Sequence, residues 1–124
     1  FEEKIFFKVK FLGADLTSAN MSKASFKDGD LSQVVAVSVN FSAADLQNTG
    51  FNGANISGCN LSTANLSGVT MSNVSAVNAN LSGADFSWAF IDNTDFTGAK
   101  ITGTRMRGAK LTAVKGIKLK KKEG

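Results

Sequence analysis

The sequence predicts an all-β solenoid, because one five-residue unit repeats along nearly the whole chain without an insertion or deletion. Every fifth residue from Phe6 to Leu111 is apolar, 22 positions in all. The residue two positions before each of these is nearly always small, most often Ala or Val. Self-similarity at a fixed period is the strongest sign of a repeat architecture that one sequence can give. A rod of stacked units is therefore expected rather than a globule.

The unit itself predicts a short strand followed by a corner. A period of five matches neither the 3.6-residue period of a helix nor the two-residue alternation of a strand. The large and small apolar residues of a unit lie two apart, so both can point inward from one extended segment. Ser, Thr, Asn, Asp and Gly dominate the next two positions, as at Ser62 and Thr63, and these residue types favour tight turns. The period alone leaves three, four or five units per coil open.

A recurring motif, Ala followed by Asp or Asn and then a large apolar residue, resembles the pentapeptide-repeat family. It stands at Ala14-Asp15-Leu16, Ala54-Asn55-Ile56 and Ala84-Asp85-Phe86, and the repeat runs from about residue 6 to 115. The resemblance implies a right-handed quadrilateral parallel β-helix with about five coils of 20 residues. The family includes DNA mimics that target gyrase, and it has many members of no known role in cyanobacteria and plastids. The resemblance therefore implies either kind of protein as a possibility for this chain. The expected organisation is an N-terminal capping strand (1–10), the β-helix (11–115) and a basic C-terminal tail (116–124).

With four units per coil, residues 20 apart stack in columns. Leu61 is then expected between Phe41 and Leu81, with no helix longer than about a turn in residues 11–115. The lone Cys59 falls in a small inward column, where a thiol behaves as a small buried hydrophobe.

Composition bounds the setting of the chain. The 124 residues suit one domain, and no apolar run approaches the ~20 residues of a membrane span. No hydrophobic signal core precedes the repeats, yet the chain opens on Phe1 rather than Met. We therefore expect a soluble protein or fragment. The sequence leaves its compartment open between the cytoplasm and, as the resemblance implies, the plastid or thylakoid lumen if a targeting peptide was removed.

The residue inventory argues against an enzyme. There is no His and no Tyr, and the single Cys is expected to be buried. The Asp residues within the repeats are explained by capping of turn N–H groups. No pair of titratable groups is placed for acid–base catalysis, and no spacing suits a metal. We expect no catalytic residue, metal, cofactor or small-molecule substrate.

Charge is segregated along the chain. Residues 28–99 contain six Asp and no Lys or Arg, whereas residues 100–124 hold nine cations and one Glu. One interpretation is protection of the exposed strand edge at the end of the solenoid by cations. The other is a docking site for an anionic partner such as nucleic acid, acidic lipid or an acidic protein. Four of the cations precede the large apolar residues of successive units and would ring the last coil: Lys100, Arg105, Lys110 and Lys115.

Trp88 and Phe90 are the large apolar residues that the repeat leaves outward in the middle of the rod. Phe86 and Ala89 take the inward positions of that unit, which places Trp88 at a corner and Phe90 on the outside. Exposed aromatic residues are typical anchors of protein interfaces. A cation–π contact between Phe90 and Lys110 is the purely structural alternative.

These observations favour a rigid, non-catalytic scaffold that binds another protein. A DNA mimic of the kind that protects or inhibits a type II topoisomerase is the first alternative. It is disfavoured because six Asp occupy ~17 Å where duplex DNA carries about ten charges, and because both ends are basic. Binding of an anionic partner or nucleic acid through the basic end is the second alternative, and it lacks stacking residues beside the cations. The predicted contact residues are Trp88, Phe90, Lys100, Arg105, Arg107, Lys110 and Lys115.

Overall fold

In the computed structural model, which describes residues 2–6, 10–11 and 13–117, the chain winds into coils of 20 residues. Parallel bridges join residues 20 apart along the rod, as in the ladder from Asn40 through Asn60 to Asn80. Leu61 therefore stacks between Phe41 and Leu81, and four five-residue units close one coil, as predicted. Bridges already link Ile5 to Ser25, while the tail from residue 118 onward lies outside the described residues.

The corners are β-turns in which a left-handed residue recurs every five positions. In most units the carbonyl of the large central residue accepts the N–H three residues on, as between Leu61 and Ala64 at 3.1 Å. The third residue of each described turn has a positive φ, from 48° at Asn93 to 76° at Gly98. Because only Gly adopts this region without a steric cost and Asn adopts it more easily than most, these residues recur there.

The Asp or Asn that precedes the central residue caps the turn. Its side-chain oxygen accepts a hydrogen bond from the backbone N–H of the residue two positions on. Ser62 donates to Asn60 in this way at 3.0 Å, and Ser87 donates to Asp85 at 2.8 Å. The five repeat Asp residues all cap in this way: Asp15, Asp30, Asp45, Asp85 and Asp95. An amide and a carboxylate offer the same acceptor oxygen, which explains why Asp and Asn alternate at this position.

Three strands and no helix occur among the described residues. They are β1 (Thr70–Ser72), β2 (Phe90–Asp92) and β3 (Lys110–Thr112). They form one parallel sheet in the order β1-β2-β3, with Thr70 paired to Phe90 and Phe90 to Lys110. This part of the chain contains no helix that is long and apolar enough to cross a membrane.

Four columns of large side chains fill the rod, and each defines one face. Face 1 contains Phe6, Phe26, Leu46, Leu66, Phe86 and Met106; face 2 contains Phe11, Leu31, Phe51, Met71, Ile91 and Leu111; face 3 contains Leu16, Ala36, Ile56, Ala76 and Phe96; face 4 contains Met21, Phe41, Leu61, Leu81 and Ile101. The columns are fully buried from Met21 to Phe96 and partly buried at both ends.

Two polar residues at small inward positions donate hydrogen bonds to the previous coil, whereas the Thr94 hydroxyl donates to the Asp92 carbonyl of its own turn at 3.0 Å. The Thr49 hydroxyl donates to the Phe26 carbonyl at 2.9 Å, and the Thr104 hydroxyl to that of Leu81 at 2.6 Å. No buried side-chain nitrogen or oxygen of the described residues lacks a partner. These polar residues therefore occupy the core without the cost of an unsatisfied group.

Candidate protein-binding site

Large apolar side chains reach the outer surface at few of the described positions. Ile5 is 78 % exposed, Trp88 68 %, Phe90 43 % and Val35 40 %. Trp88 and Phe90 lie two residues apart at the corner between faces 1 and 2. We call the surface formed by these two side chains the aromatic corner.

Trp88 occupies the left-handed position of its turn, with a φ of 63°. Its ring lies over Gly108 of the following coil, where an added Cβ would clash with ring atom Cε3. Gly68 precedes Trp88 in the same corner column. Glycine at 108 therefore seats the ring against the rod, while most of the indole surface remains exposed to solvent.

Phe90 begins β2 and stands between Thr70 and Lys110 in the sheet. The aromatic pairs of the described residues are internal ones such as Phe6 with Phe26, and neither Phe90 nor Trp88 belongs to any of them. The aromatic corner thus combines two rings that take part in none of the aromatic pairs of the described residues.

The 20-residue register of the coils places one cation of the last coil on each face; we call these four residues the basic ring: Lys100, Arg105, Lys110 and Lys115. Arg105 lies next to Asp85 on face 1 and Lys110 next to Phe90 on face 2. Arg107 follows Met106 on the side of face 1 that adjoins the aromatic corner. Lys100 and Lys115 lie on faces 4 and 3, next to Asn80 and Asp95. Only Arg105, Arg107 and Lys110 therefore flank the aromatic corner, a division that the linear spacing of the cations did not reveal.

Two of the acidic caps, Asp85 and Asp95, have pKa values that are lowered mainly by hydrogen bonds within their own turns. Hydrogen bonding from Ser87 holds the pKa of Asp85 below its ordinary value, and the charge of Arg105 adds a smaller effect. The Thr97 side chain is the main cause of the lowered pKa of Asp95, with a small contribution from Lys115. These carboxylates therefore act mainly as acceptors for their own turns, and their negative charges partly neutralise the nearby cations.

A shallow groove, which the sequence did not predict, lies on face 3 beside three corners that lack the turn hydrogen bond. We call these the open corners. The turn hydrogen bond is missing after Met71, Ile91 and Leu111, although it closes the other described corners. The groove has a volume of about 330 Å³ and is lined by Asn73, Val74, Ser75, Asn93, Thr94, Asp95, Ala113 and Lys115. Each open corner leads to a β-branched inward residue: Val74, Thr94 or Val114.

β-Branching at the small inward position accompanies these openings but does not decide them. The turn hydrogen bond is kept at the other described β-branched positions, at 3.1 to 3.4 Å: Val34, Val39, Thr49, Val69 and Thr104. The three open corners instead share one column of the rod, directly after β1, β2 and β3.

Cys59 is buried and protonated. Its Sγ donates a hydrogen bond to the Ala36 carbonyl at 2.8 Å. Burial raises the pKa of the thiol from its ordinary value of 9.0 to about 12. Since the thiolate is the reactive form, Cys59 is an inert packing residue.

The raised pKa of Cys59 predicts a loss of stability in alkali. Unfolding lets the thiol ionise, so its contribution is complete below 9.0 and declines as the pH rises towards about 12. Within that window the free energy of unfolding should fall by up to ~1.4 kcal/mol per pH unit on account of this group. Denaturant melts of the wild type and Cys59→Ala at a series of pH values measure the difference. Parallel pH profiles for the two proteins would contradict the burial of the thiol.

Sequence comparison assigns the chain to a family. Residues 4–81 match the pentapeptide repeat region, and residues 79–115 match pentapeptide repeats in eight copies. The chain belongs to the pentapeptide repeat family, and its fold is the right-handed quadrilateral β-helix that the resemblance implied. None of the curated proteins matches the chain by sequence.

Solved pentapeptide repeat proteins share this architecture. Rfr23 from the cyanobacterium Cyanothece 51142 is 19 % identical with a TM-score of 0.74, and the match covers 87 % of this chain and 91 % of that one. A protein from the Arabidopsis thaliana thylakoid lumen is 20 % identical with a TM-score of 0.55, covering 88 % and 70 %. HetL from Nostoc sp. strain PCC 7120, involved in the regulation of heterocyst differentiation, is 27 % identical with a TM-score of 0.52. That match covers 88 % of this chain and 54 % of HetL, so the chain spans about half of HetL's length.

Proposed function

We propose that the protein is a rigid, non-catalytic scaffold that binds another protein through the aromatic corner. The observation that carries this proposal is the exposure of Trp88, at 68 %, beside the half-exposed Phe90, on an outer surface where large apolar side chains are otherwise few. Tryptophan is the residue most typical of interface hot spots. The solenoid holds both rings in fixed register, so binding does not require them to be ordered first.

Backbone conformation supports a binding role for Trp88. An L-residue in the left-handed region costs ~1–2 kcal/mol relative to the right-handed one, and a bulky residue there is uncommon. Many other corners satisfy this position with Gly, as at Gly68, or with Asn, as at Asn48, while the rest hold smaller or more flexible side chains such as Thr63. Trp88 is the sole aromatic among the described corner residues. A large exposed side chain at a strained position gains little from folding, which favours a role in recognition.

The acidic residues support protein binding better than DNA mimicry. Asp45 and Asp85 lie on face 1, Asp30 on face 2, and Asp95 on face 3. Each one also accepts a backbone hydrogen bond from its own turn. Asp92 on face 2 and Asp28 at the corner between faces 1 and 2 complete the six Asp of residues 28–99. A duplex mimic needs one charge per ~1.7 Å of axis, and these six carboxylates, four of them engaged as turn caps, fall short of that density.

Replacing Trp88 by Gly should abolish partner binding without lowering stability. The substitution removes the anchor and relieves the left-handed conformation. We expect binding to weaken by ~2 kcal/mol or more, with a melting temperature equal to or above that of the wild type. The measurement is affinity capture from the native source with cross-linking, then titration of the purified partner against both proteins. Val35→Thr, which removes an exposed apolar residue from face 3, is the matched control and should bind normally.

The flanking cations should act on the rate of association. Reversing the charges of Arg105, Arg107 and Lys110 should slow association with an acidic-rimmed partner and flatten its salt dependence. The same reversal at Lys100 and Lys115, which face away from the aromatic corner, should have a smaller effect. A partner whose binding ignores Trp88 and all five cations would place the functional surface on another part of the rod and refute the proposal.

A further inference from the structure

The outward column of face 2 is complementary to itself when read backwards. Parallel pairing aligns Lys10, Asp30, Gly50, Thr70, Phe90 and Lys110 in that order, one coil (~4.8 Å) apart. The self-complementary part runs from Asp30 to Lys110, and Lys10 lies one coil beyond it, next to Asp30 of its own chain. Reversed about its middle, this part places Asp30 opposite Lys110, Gly50 opposite Phe90, and Thr70 opposite itself. Two such columns packed antiparallel would therefore pair opposite charges and place a bulky residue against a glycine at the same time.

Gly50 forms a notch that the backbone does not require. It is the only glycine at this position of the repeat, and Phe90 is the only aromatic residue there. A Cβ added to Gly50 would meet only Asp30 Oδ1 at 3.6 Å and Ser32 Oγ at 3.7 Å, which are ordinary contacts. Gly50 also lies outside the left-handed region. A side chain would therefore fit, and its absence leaves room for one from outside.

The neighbouring outward column of face 2 shows the same symmetry. It contains Ser32, Asn52, Ser72, Asp92 and Thr112, and reversal about Ser72 places Asn52 opposite Asp92. The Asn52 amide oxygen accepts the Ser72 N–H at 3.0 Å, which leaves its NH₂ group as the outward donor. Asp92 is not one of the turn caps, so its carboxylate is a suitable acceptor.

We propose that face 2 binds a second copy of this chain, packed antiparallel about a two-fold axis through Thr70. Phe90 of each copy fills the Gly50 notch of the other, and Lys110 of each faces Asp30. The inference rests on the proposed function and deepens it at Phe90, which belongs both to the aromatic corner and to this face. Interfaces of this isologous kind require a patch that is complementary to itself.

Other arrangements lose these pairings. Parallel rods related by an axis along their length would place Lys110 against Lys110 and Asp30 against Asp30, and like charges directly opposite are unfavourable. Moving the antiparallel axis half a coil pairs Phe90 with Asp30 or Lys110 with Gly50. A two-fold axis at the aromatic corner, instead of on face 2, would bring Arg107 of one copy towards Lys27 of the other, and both are cations. The two-fold axis through Thr70, on face 2, avoids these contacts.

The small area of face 2 limits the affinity expected for the dimer. Four coil steps from Asp30 to Lys110 span ~19 Å, so the contact buries less than the ~1,200 Å² of a standard complex. We expect a reversible dimer with a dissociation constant of ~10–100 µM and a concentration-dependent mass.

Sedimentation velocity of the full chain from ~1 µM to ~1 mM tests the inference. The average mass should rise from 13.0 kDa towards twice that value. Gly50→Ile fills the notch and should raise the dissociation constant at least ~10-fold with an unchanged melting temperature. Ser25→Ile, the same change at the same repeat position on face 1, is the matched control and should dimerise normally.

A charge exchange identifies the axis. Lys110→Glu and Asp30→Lys should each weaken the dimer, and the double variant should recover much of the loss because the pair is restored with reversed sign. Lys100→Glu, on face 4, should leave dimerisation unchanged. A single 13.0 kDa species throughout, or dimerisation that is insensitive to Gly50→Ile, overturns the inference. If the chain stays monomeric while Trp88→Gly still abolishes capture of a different protein, the inference fails and the proposed function stands.

Discussion

Leu61→Asp should unfold the protein. Leu61 is fully buried in the middle of face 4, between Phe41 and Leu81. An aspartate there is either charged without a partner or must bind a proton, and either state costs more than ~3 kcal/mol. Loss of the cooperative melting transition, followed by circular dichroism, is the expected readout.

Ser62→Asp is the matched control one residue away. Ser62 lies outward, and its hydroxyl donates to Asn60 Oδ1 at 2.7 Å in a partly exposed turn. Loss of that bond should cost no more than ~1 kcal/mol, because water solvates the new carboxylate. Equal melting temperatures for the two variants would contradict the assignment of inward and outward positions.

Deleting four residues should unfold the chain, whereas deleting five should leave it folded. Removal of residues 61–64 moves the residue before each large apolar position inward for the rest of the rod, beginning with Asn65, Thr70 and Ser75. Burial of a polar column without partners exceeds the stability of a small domain. Removal of residues 61–65 keeps every large residue inward and rotates the later units by one face.

Solubility, circular dichroism and thermal melts of the two deletions give the comparison. The five-residue deletion should melt cooperatively, at a lower temperature than the wild type because the shorter rod buries less apolar surface. A folded four-residue deletion, or two equally unfolded proteins, would argue against a solenoid built from independent five-residue units.

The architecture could be predicted because one local rule decides it at every unit. A large apolar residue every fifth position, a small one two before it, and turn formers between them determine which side chains point inward, as Leu61 and Ser62 illustrate. The capping role of Asp85 and Asp95 also followed from the repeat. The open corners after Met71, Ile91 and Leu111 did not, because other corners with the same kinds of inward residue, such as the one that ends at Val69, keep their hydrogen bond.

The candidate site could be predicted in part. Trp88 and Phe90 were expected to point outward, and their exposure agrees with that expectation. The division of the basic residues did not follow from spacing alone, since Lys100 and Lys115 occupy faces away from the aromatic corner. Gly50 passed unnoticed because glycine is common in this repeat, and only alignment at 20 residues places it in the same column as Phe90.

Fluorescence of Trp88 tests the central claim most directly, because the chain contains one Trp and no Tyr. In dilute protein the account predicts the red-shifted emission and efficient acrylamide quenching of a water-exposed indole. Addition of a binding partner should shift the emission to the blue and protect the ring from quenching. Blue-shifted emission that resists quenching in the dilute protein alone would mean that Trp88 is buried, and would contradict the aromatic corner as a binding surface.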